Sequence, residues 1–336
     1  MATAVSSAQN VPADAEVRSG DPLRQRLALL ASQQICSGFI DVADTTLHVV
    51  TAGNRDGRPL LLLHGSPEFW WGWHNQIPAL VAAGYFLIMP DLRGFNHSGK
   101  PADFNSYRRP KLVADVLAVM DAFGLSKSAI VGHDIGGGIV WWLASEYPER
   151  VVAGAIFNAS HPAALIEDAR QNPQDTSQNF RAFLAQRALS EMYLQQDDYA
   201  PLLKPFREAN ERFANAFIPG EFDIYRTAWR QTGATRAMMG HYQAVQTYGF
   251  ELPRNRDIAV PIRLIWGAQD RYNLLRQGEL SLNFIQQKEI IVQPQAGHWI
   301  LHETPEFATS NIIEFLATHG ATTEEKARPP FSCTAN

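Results

Sequence analysis

The stretch Val131-Gly-His-Asp-Ile-Gly-Gly137 constrains this chain more than any other. The apolar run Ala129-Ile130-Val131 leads into it as a buried strand, and Ile139 to Ser145 leads out of it as a packed helix. Gly132 and Gly136 stand two residues to either side of Asp134. That spacing marks a sharp strand-to-helix turn, which lifts one side chain above the edge of a sheet. Glycine is needed there because strand and helix backbones approach too closely for a Cβ. The lifted residue in this chain is Asp134.

A carboxylate is a poor nucleophile toward carbonyl carbon, where it forms a labile anhydride. Against a saturated carbon bearing a leaving group it forms an alkyl ester, which water can then cleave. Asp134 therefore points to C–O or C–halogen cleavage in two steps. The competing reading is an aspartate that caps the following helix by accepting its free N–H groups.

Two more loops fall at the carboxyl ends of expected strands, where ligands of open α/β sheets bind. Trp266-Gly-Ala-Gln-Asp270 follows one, and Ala296-Gly-His298-Trp299 follows the next. The order nucleophile, acid, histidine matches the triad order of this architecture. His298 is the candidate general base for the attacking water, and Asp270 the group that fixes its tautomer and stabilises its charged form. The oxyanion donors are expected to be backbone N–H groups, those of Ile135 and Ser66. His64-Gly65 lets the Ser66 loop bend close, and Pro67 fixes its exit. Trp70, with Trp71 and Trp73, either lines the substrate pocket or packs in the core; Trp141 and Trp142 read as helix packing.

Apolar runs at Pro59–Leu63, Phe86–Met89, Val151–Phe157, Ile262–Trp266 and Glu289–Val292 alternate with helical patterns, which implies a parallel sheet covered on both faces. The segments Phe39–Val42 and Thr46–Ala52 alternate as an antiparallel hairpin. Helices are expected over about 22–35, from Trp71 to Ala83, from Pro110 to Phe123 and near Pro305–Thr318. From His161 to about Pro253 no buried strand is legible, and the spacing is helical. The expected division is a core of 22–160 and 254–320, a helical cap of 161–253, and tails at 1–21 and 321–336. The net charge of −5 argues against nucleic-acid or anionic-membrane partners. Two cysteines, Cys36 and Cys333, offer no disulfide framework or metal motif, which suits a reducing cytosol. No signal-peptide pattern opens the chain, and no run approaches the ~18 apolar residues of a membrane span.

The motifs His64-Gly-Ser-Pro-Glu68, Asp91-Leu-Arg-Gly94 through Ser98-Gly-Lys-Pro101, and Gly132-His-Asp-Ile-Gly136 resemble the aspartate-nucleophile branch of the α/β-hydrolase-fold epoxide hydrolases, related to haloalkane and haloacid dehalogenases. The resemblance covers about residues 38–320. It implies a mostly parallel eight-stranded sheet with an inserted helical cap, and hydrolysis of an epoxide to a vicinal diol through an aspartyl ester. Cap tyrosines of that family donate a proton to the opening oxirane. Met238-Met-Gly-His-Tyr-Gln243 resembles the segment carrying one, which gives Tyr242 the role. The other cap motif is not clean here: Asn179 to Gln186 lacks a tyrosine, and Tyr193 is the nearest candidate. The alternative is a dehalogenase acting on small organohalides. Ile135 stands where haloalkane dehalogenases carry a tryptophan. Ile135 and Gly138 stand where fluoroacetate dehalogenases carry arginines, and the stretch Asn158-Ala-Ser-His161 stands where they usually place the triad acid, after the sixth strand. A ligand-binding protein with a relic triad is a third reading. The expected partners are a small hydrophobic epoxide and water, with no cofactor, metal, nucleic acid or membrane; the expected location is the cytoplasm, and a homodimer is left open.

Overall fold

Uninterrupted apolar runs become the interior of one sheet. The computed structural model describes residues 21–175, 179–319 and 326–332. The chain opens with α1 (Pro22–Ala31), β1 (Cys36–Val42), β2 (Thr45–Ala52), β3 (Arg58–Leu63), α2 (Ile77–Ala82) and β4 (Tyr85–Pro90). It continues through α3 (Arg109–Ala122), β5 (Ser128–His133), α4 (Ile135–Glu146) and β6 (Val151–Phe157). Five helices follow: α5 (Pro162–Gln171), α6 (Asn179–Leu184), α7 (Arg187–Arg212), α8 (Glu221–Trp229) and α9 (Ala234–Tyr248). Then come β7 (Ile262–Gly267), α10 (Leu275–Ser281), β8 (Ile290–Gln293), α11 (Ile300–Glu303) and α12 (Pro305–His319).

The eight strands are ordered β1-β2-β4-β3-β5-β6-β7-β8. β2 pairs antiparallel with β1 and β4, and every other pair is parallel. Every residue of β4, β5 and β7 is buried, whereas the edge strand β1 alternates. Helices cover both faces of the central strands, which is why these read as continuous apolar runs. This is the α/β-hydrolase architecture, with its eight strands mostly parallel.

Between β6 and β7 the described residues form helices and no strand. Three hydrogen bonds tie α8 to the core. Trp71 Nε1 donates to Glu221 Oε1 at 2.9 Å, the Tyr225 hydroxyl to Glu68 Oε1 at 2.8 Å, and Trp229 Nε1 to the Pro67 carbonyl at 2.8 Å. Two of these land on the loop after β3, so the helical layer is fixed relative to that loop.

Two expectations change, and one long helix is interrupted. The helix expected from Trp71 to Ala83 is split into a 3-10 turn at Trp70–Trp73 and α2, because Pro78 falls in the first turn of α2 and sets a fresh start. α7 is broken at Gln196–Tyr199, where Asp197, Asp198 and Tyr199 take positive φ. Cys36 is disulfide-bonded, contrary to the expectation of reduced thiols. Among the described residues no helix is long and apolar enough to cross a membrane.

Candidate active site

Asp134 joins β5 to α4 with φ 49° and ψ −113°, a region L-residues rarely occupy and hold only when the surroundings enforce it. The glycines around it leave room for nothing else. A Cβ at Gly136 would lie 2.1 Å from the Leu63 carbonyl oxygen, and one at Gly132 would lie 2.5 Å from the Gly136 backbone. The Gly136 N–H donates to the His64 carbonyl at 3.1 Å, which joins the turn to the loop after β3. One carboxylate oxygen of Asp134 accepts the Ser66 N–H at 3.1 Å, and the other accepts Asn273 Nδ2 at 3.3 Å. The Ile135 N–H opens α4 and has no carbonyl four residues back within the helix to receive it.

His298 Nε2 stands 3.9 Å from Asp134 Oδ2, and its Nδ1 stands 2.7 Å from Asp270 Oδ2. Asp270 Oδ1 accepts the N–H groups of Tyr272 and Asn273 at 2.7 and 3.0 Å. Asp270 Oδ2 also accepts Asn158 Nδ2 at 2.5 Å, and Asn158 Oδ1 in turn accepts the Gly267 N–H at 3.0 Å. Four successive strand ends, those of β5, β6, β7 and β8, thus converge on one hydrogen-bonded chain. Burial works against charge on His298, but the Asp270 charge and hydrogen bond, with Asp134 beyond, raise it to about 9. Burial likewise disfavours the Asp134 carboxylate, but His298, His133 and Arg181 together with the Ser66 N–H hold it below the usual carboxylate range. The resting arrangement is therefore an ionised carboxylate facing a protonated imidazole.

Above Asp134 lies a cavity of about 520 Å³, walled by residues that include Leu165, Ile166, Ala182, Val245 and Phe250. Tyr242 enters it from α9. Burial, then the Asp134 charge, raises the Tyr242 phenol above its ordinary range, offset in part by the Arg181 charge. His298 lines a second cavity of about 180 Å³ with Tyr272 and Trp299.

The structure brings Asp134, His298, Asp270, Tyr242, Ser66 and Ile135 together, and leaves three expected residues elsewhere. His64 is 1% exposed and is not among the cavity-lining residues. Its Nδ1 faces the Gly65 carbonyl at 2.8 Å and its Nε2 accepts the Leu92 N–H at 2.9 Å, so it shapes the loop rather than touching a ligand. Trp70 packs on Trp71 in the core. Tyr193 is 43% exposed, with its ring against Phe183 and outside the cavity lining. Ser66 contributes its N–H, as expected. Trp142, expected to be packing alone, lines the cavity.

Nothing local in the sequence marks Arg181, Arg109 or the bond from Asn158 to Asp270, and Asn273 went unnoticed. An aspartate followed three residues later by asparagine is a recognisable Asx turn, and that was the available signal for Asn273. Away from the cavity, His74, Glu221 and His302 place potential metal-ligand atoms within 4.8 Å of one another. These groups already serve a hydrogen-bond network: Glu221 accepts from Trp71 and the Ile218 N–H, and His302 bonds Glu68.

A strained turn carrying Asp134, an acid–histidine pair and the backbone N–H groups of two loops thus meet at the strand ends of this fold. The chain belongs to the α/β hydrolase fold family, whose model matches residues 58–305. Among its relatives is the AB hydrolase superfamily protein YfhM of Bacillus subtilis (strain 168), 36% identical over 279 residues, which cover 83% of this chain and 96% of that protein. Epoxide hydrolase 4 of Mus musculus is 29% identical over 287 residues, covering 83% of this chain and 79% of that protein. A solved structure of an epoxide hydrolase of Bacillus megaterium in complex with an inhibitor is also similar. It has a TM-score of 0.76 at 25% identity and covers 83% of this chain and all of that one.

Proposed function

We propose that the protein hydrolyses an epoxide to a vicinal diol through an ester on Asp134. Asp134 attacks an oxirane carbon and the C–O bond breaks. The departing oxygen takes the Tyr242 proton, leaving a hydroxyalkyl ester. His298 Nε2 then removes a proton from water, whose oxygen attacks the ester carbonyl carbon. The Ile135 and Ser66 N–H groups hold the resulting oxyanion. Collapse expels the diol oxygen, which takes the proton back from His298; the second proton of the water, left on the Asp134 carboxyl, is released and Tyr242 is reprotonated, which restores the carboxylate and the phenol.

Charge sets the order of these steps. While Asp134 is ionised it helps to keep His298 protonated, and a protonated imidazole is no base. Esterification removes that negative charge, so the His298 pKa falls and the base appears when it is needed. The single observation behind this reading is the Asp134–His298–Asp270 chain with Tyr242 in one cavity over the carboxylate. The test is incubation with aryl and alkyl epoxides, with diol measured by chromatography and mass spectrometry. Diol from the native protein and none from Asp134→Asn is the expected result. No diol from any epoxide, or halide released from haloalkanes or haloacids without diol from epoxides, overturns it.

A further inference from the structure

The charges around the cavity are not matched one to one. Arg108 is bonded to Glu251 through its guanidinium, and the Arg109 N–H takes the other Glu251 oxygen at 3.1 Å. Asp134 faces His298. The Arg109 guanidinium donates Nη1 to the Ile135 carbonyl at 3.2 Å and, among the described residues, has no carboxylate within salt-bridge distance. It is half-buried, lines the cavity, and lies against the first turn of α4, where a Cβ at Gly138 would come within 3.1 Å of Nη1. Glycine at 138 thus gives the guanidinium its place one turn from the nucleophile. Burial pulls its pKa down to about 10, opposed most strongly by the Asp134 charge. A guanidinium stays charged at neutral pH, and with Asp134 and Glu251 acting on it only from beyond salt-bridge distance it can take an anion in direct contact.

Two other cavity-lining residues bear on that contact. His241 lines the same cavity at 7% exposure, and neither of its ring nitrogens has a hydrogen-bond partner. Burial, then the Arg109 charge, pushes its pKa to about 3, so it stands as a neutral imidazole that adds no charge to the Arg109 side of the cavity. Arg181, held by Asn273 Oδ1 at 2.6 Å, adds positive charge on the cap side of Asp134. Once Asp134 is esterified, Glu251, already bonded to Arg108, is the carboxylate that remains among the cavity-lining residues, against Arg108, Arg109 and Arg181.

We propose that Arg109 is the subsite for a carboxylate carried by the substrate, so that the substrate class is an epoxy acid; the proposal rests on the epoxide reading above. The carboxylate replaces water on the guanidinium, while the oxirane lies over Asp134 and the carbon skeleton runs along the apolar wall. The bidentate geometry of guanidinium suits a carboxylate better than a halide or a neutral ester.

The test uses the full-length protein with 3-phenylglycidate and 4-(oxiran-2-yl)benzoate, which place the carboxylate at two distances from the ring, each against its methyl ester. The expected result is a kcat/KM at least ~10-fold higher for one acid than for its ester, carried mainly by KM. In Arg109→Met the ratio falls to about one, and in Arg109→Lys it is intermediate; the lysine variant also keeps the test valid should the methionine variant fold poorly. Ratios near one in the native protein, or a preference that survives Arg109→Met, overturn the subsite while leaving epoxide hydrolysis in place. Titration calorimetry with unreactive phenylacetate reads the subsite without turnover. Binding to the native protein that weakens ~10-fold or more in Arg109→Met supports it even if no epoxide yields diol, and absence of binding together with ratios near one removes it.

Discussion

Asp134 and His298 carry distinct predictions because they act in successive half-reactions. With His298→Gln the ester forms and cannot be cleaved, so intact-protein mass spectrometry after incubation with styrene oxide shows a gain of one substrate mass. With Asp134→Asn the mass is unchanged. Tyr242→Phe slows ester formation by ~10²–10⁴, the usual range for a lost general acid, and no ester accumulates. The pH dependence separates the steps further. Asp134 sits below the usual carboxylate range and Tyr242 above the usual phenol range. Rapid-quench rates of ester formation are therefore flat between about pH 6 and pH 9. Ester hydrolysis requires neutral His298 and rises with pH, with an apparent pKa below the resting value of about 9, because the ester carries no charge to stabilise the imidazolium. An apparent pKa at or above the resting value counts against the proposed order. At this scale the chain showed its chemistry wherever a residue sat in a marked turn, as Asp134, Asp270 and His298 do. Asn158, Arg109 and Arg181 act only because separate elements deliver them to one point, and nothing local in the sequence marks them.

Elements differ in how far local pattern determines them. The central strands are apolar along their whole length because both faces are covered, and β3, β4, β5, β6 and β7 follow the apolar runs closely. The turn between β5 and α4 is legible for the same reason that it is unforgiving: its glycines are fixed by backbone contact. Gly136→Ala sets a Cβ 2.1 Å from the Leu63 carbonyl, and no flexible side chain is available to give way. The expected outcome is a loss of stability of about 1–3 kcal/mol, typical of overpacking. Activity falls further than folding does, because relief of the clash moves Ile135 N–H away from Ser66 N–H. Circular dichroism beside turnover checks this; native-like activity in the folded fraction counts against the tight turn. The helical layer is less legible. Periodicity shows that it is helical, but the phase of each helix against the cavity depends on the connections around α6 and α7 and on the break at Gln196–Tyr199. Tyr193 therefore ends on the outside, and the side chain delivered from the expected segment is Arg181.

Across the whole molecule, the attachment of the helical layer runs through a buried polar hub at Glu68. Its Oε1 accepts the Tyr225 hydroxyl from α8 and lies 2.7 Å from His302 Nε2 in α11, while Oε2 is 3.5 Å from His133, the neighbour of the nucleophile. Burial opposes ionisation of Glu68, but His302 and His133 hold it charged, far below its ordinary range. Burial also opposes charge on His302, and Glu68 overcomes it and raises the imidazole. A depressed carboxylate contributes stability above its unfolded pKa of about 4.3 and loses it as pH falls through the folded value. A raised histidine contributes stability below its unfolded pKa of about 6.5 and loses it as pH climbs through the folded value. The pair is thus worth most between those two limits. Glu68→Gln strands a buried imidazolium, a change that costs about 3–5 kcal/mol. At roughly 2–4 °C per kcal/mol for domains of some 150–250 residues, the melting temperature drops by on the order of 6–20 °C. Scanning calorimetry of both proteins from about pH 4 to pH 9 should show the widest gap near pH 5–6 and a narrowing on each side. A gap that does not vary with pH would mean that Glu68 contributes by shape and neutral hydrogen bonding. The charged seam between the sheet and the helices above it would then have to be abandoned.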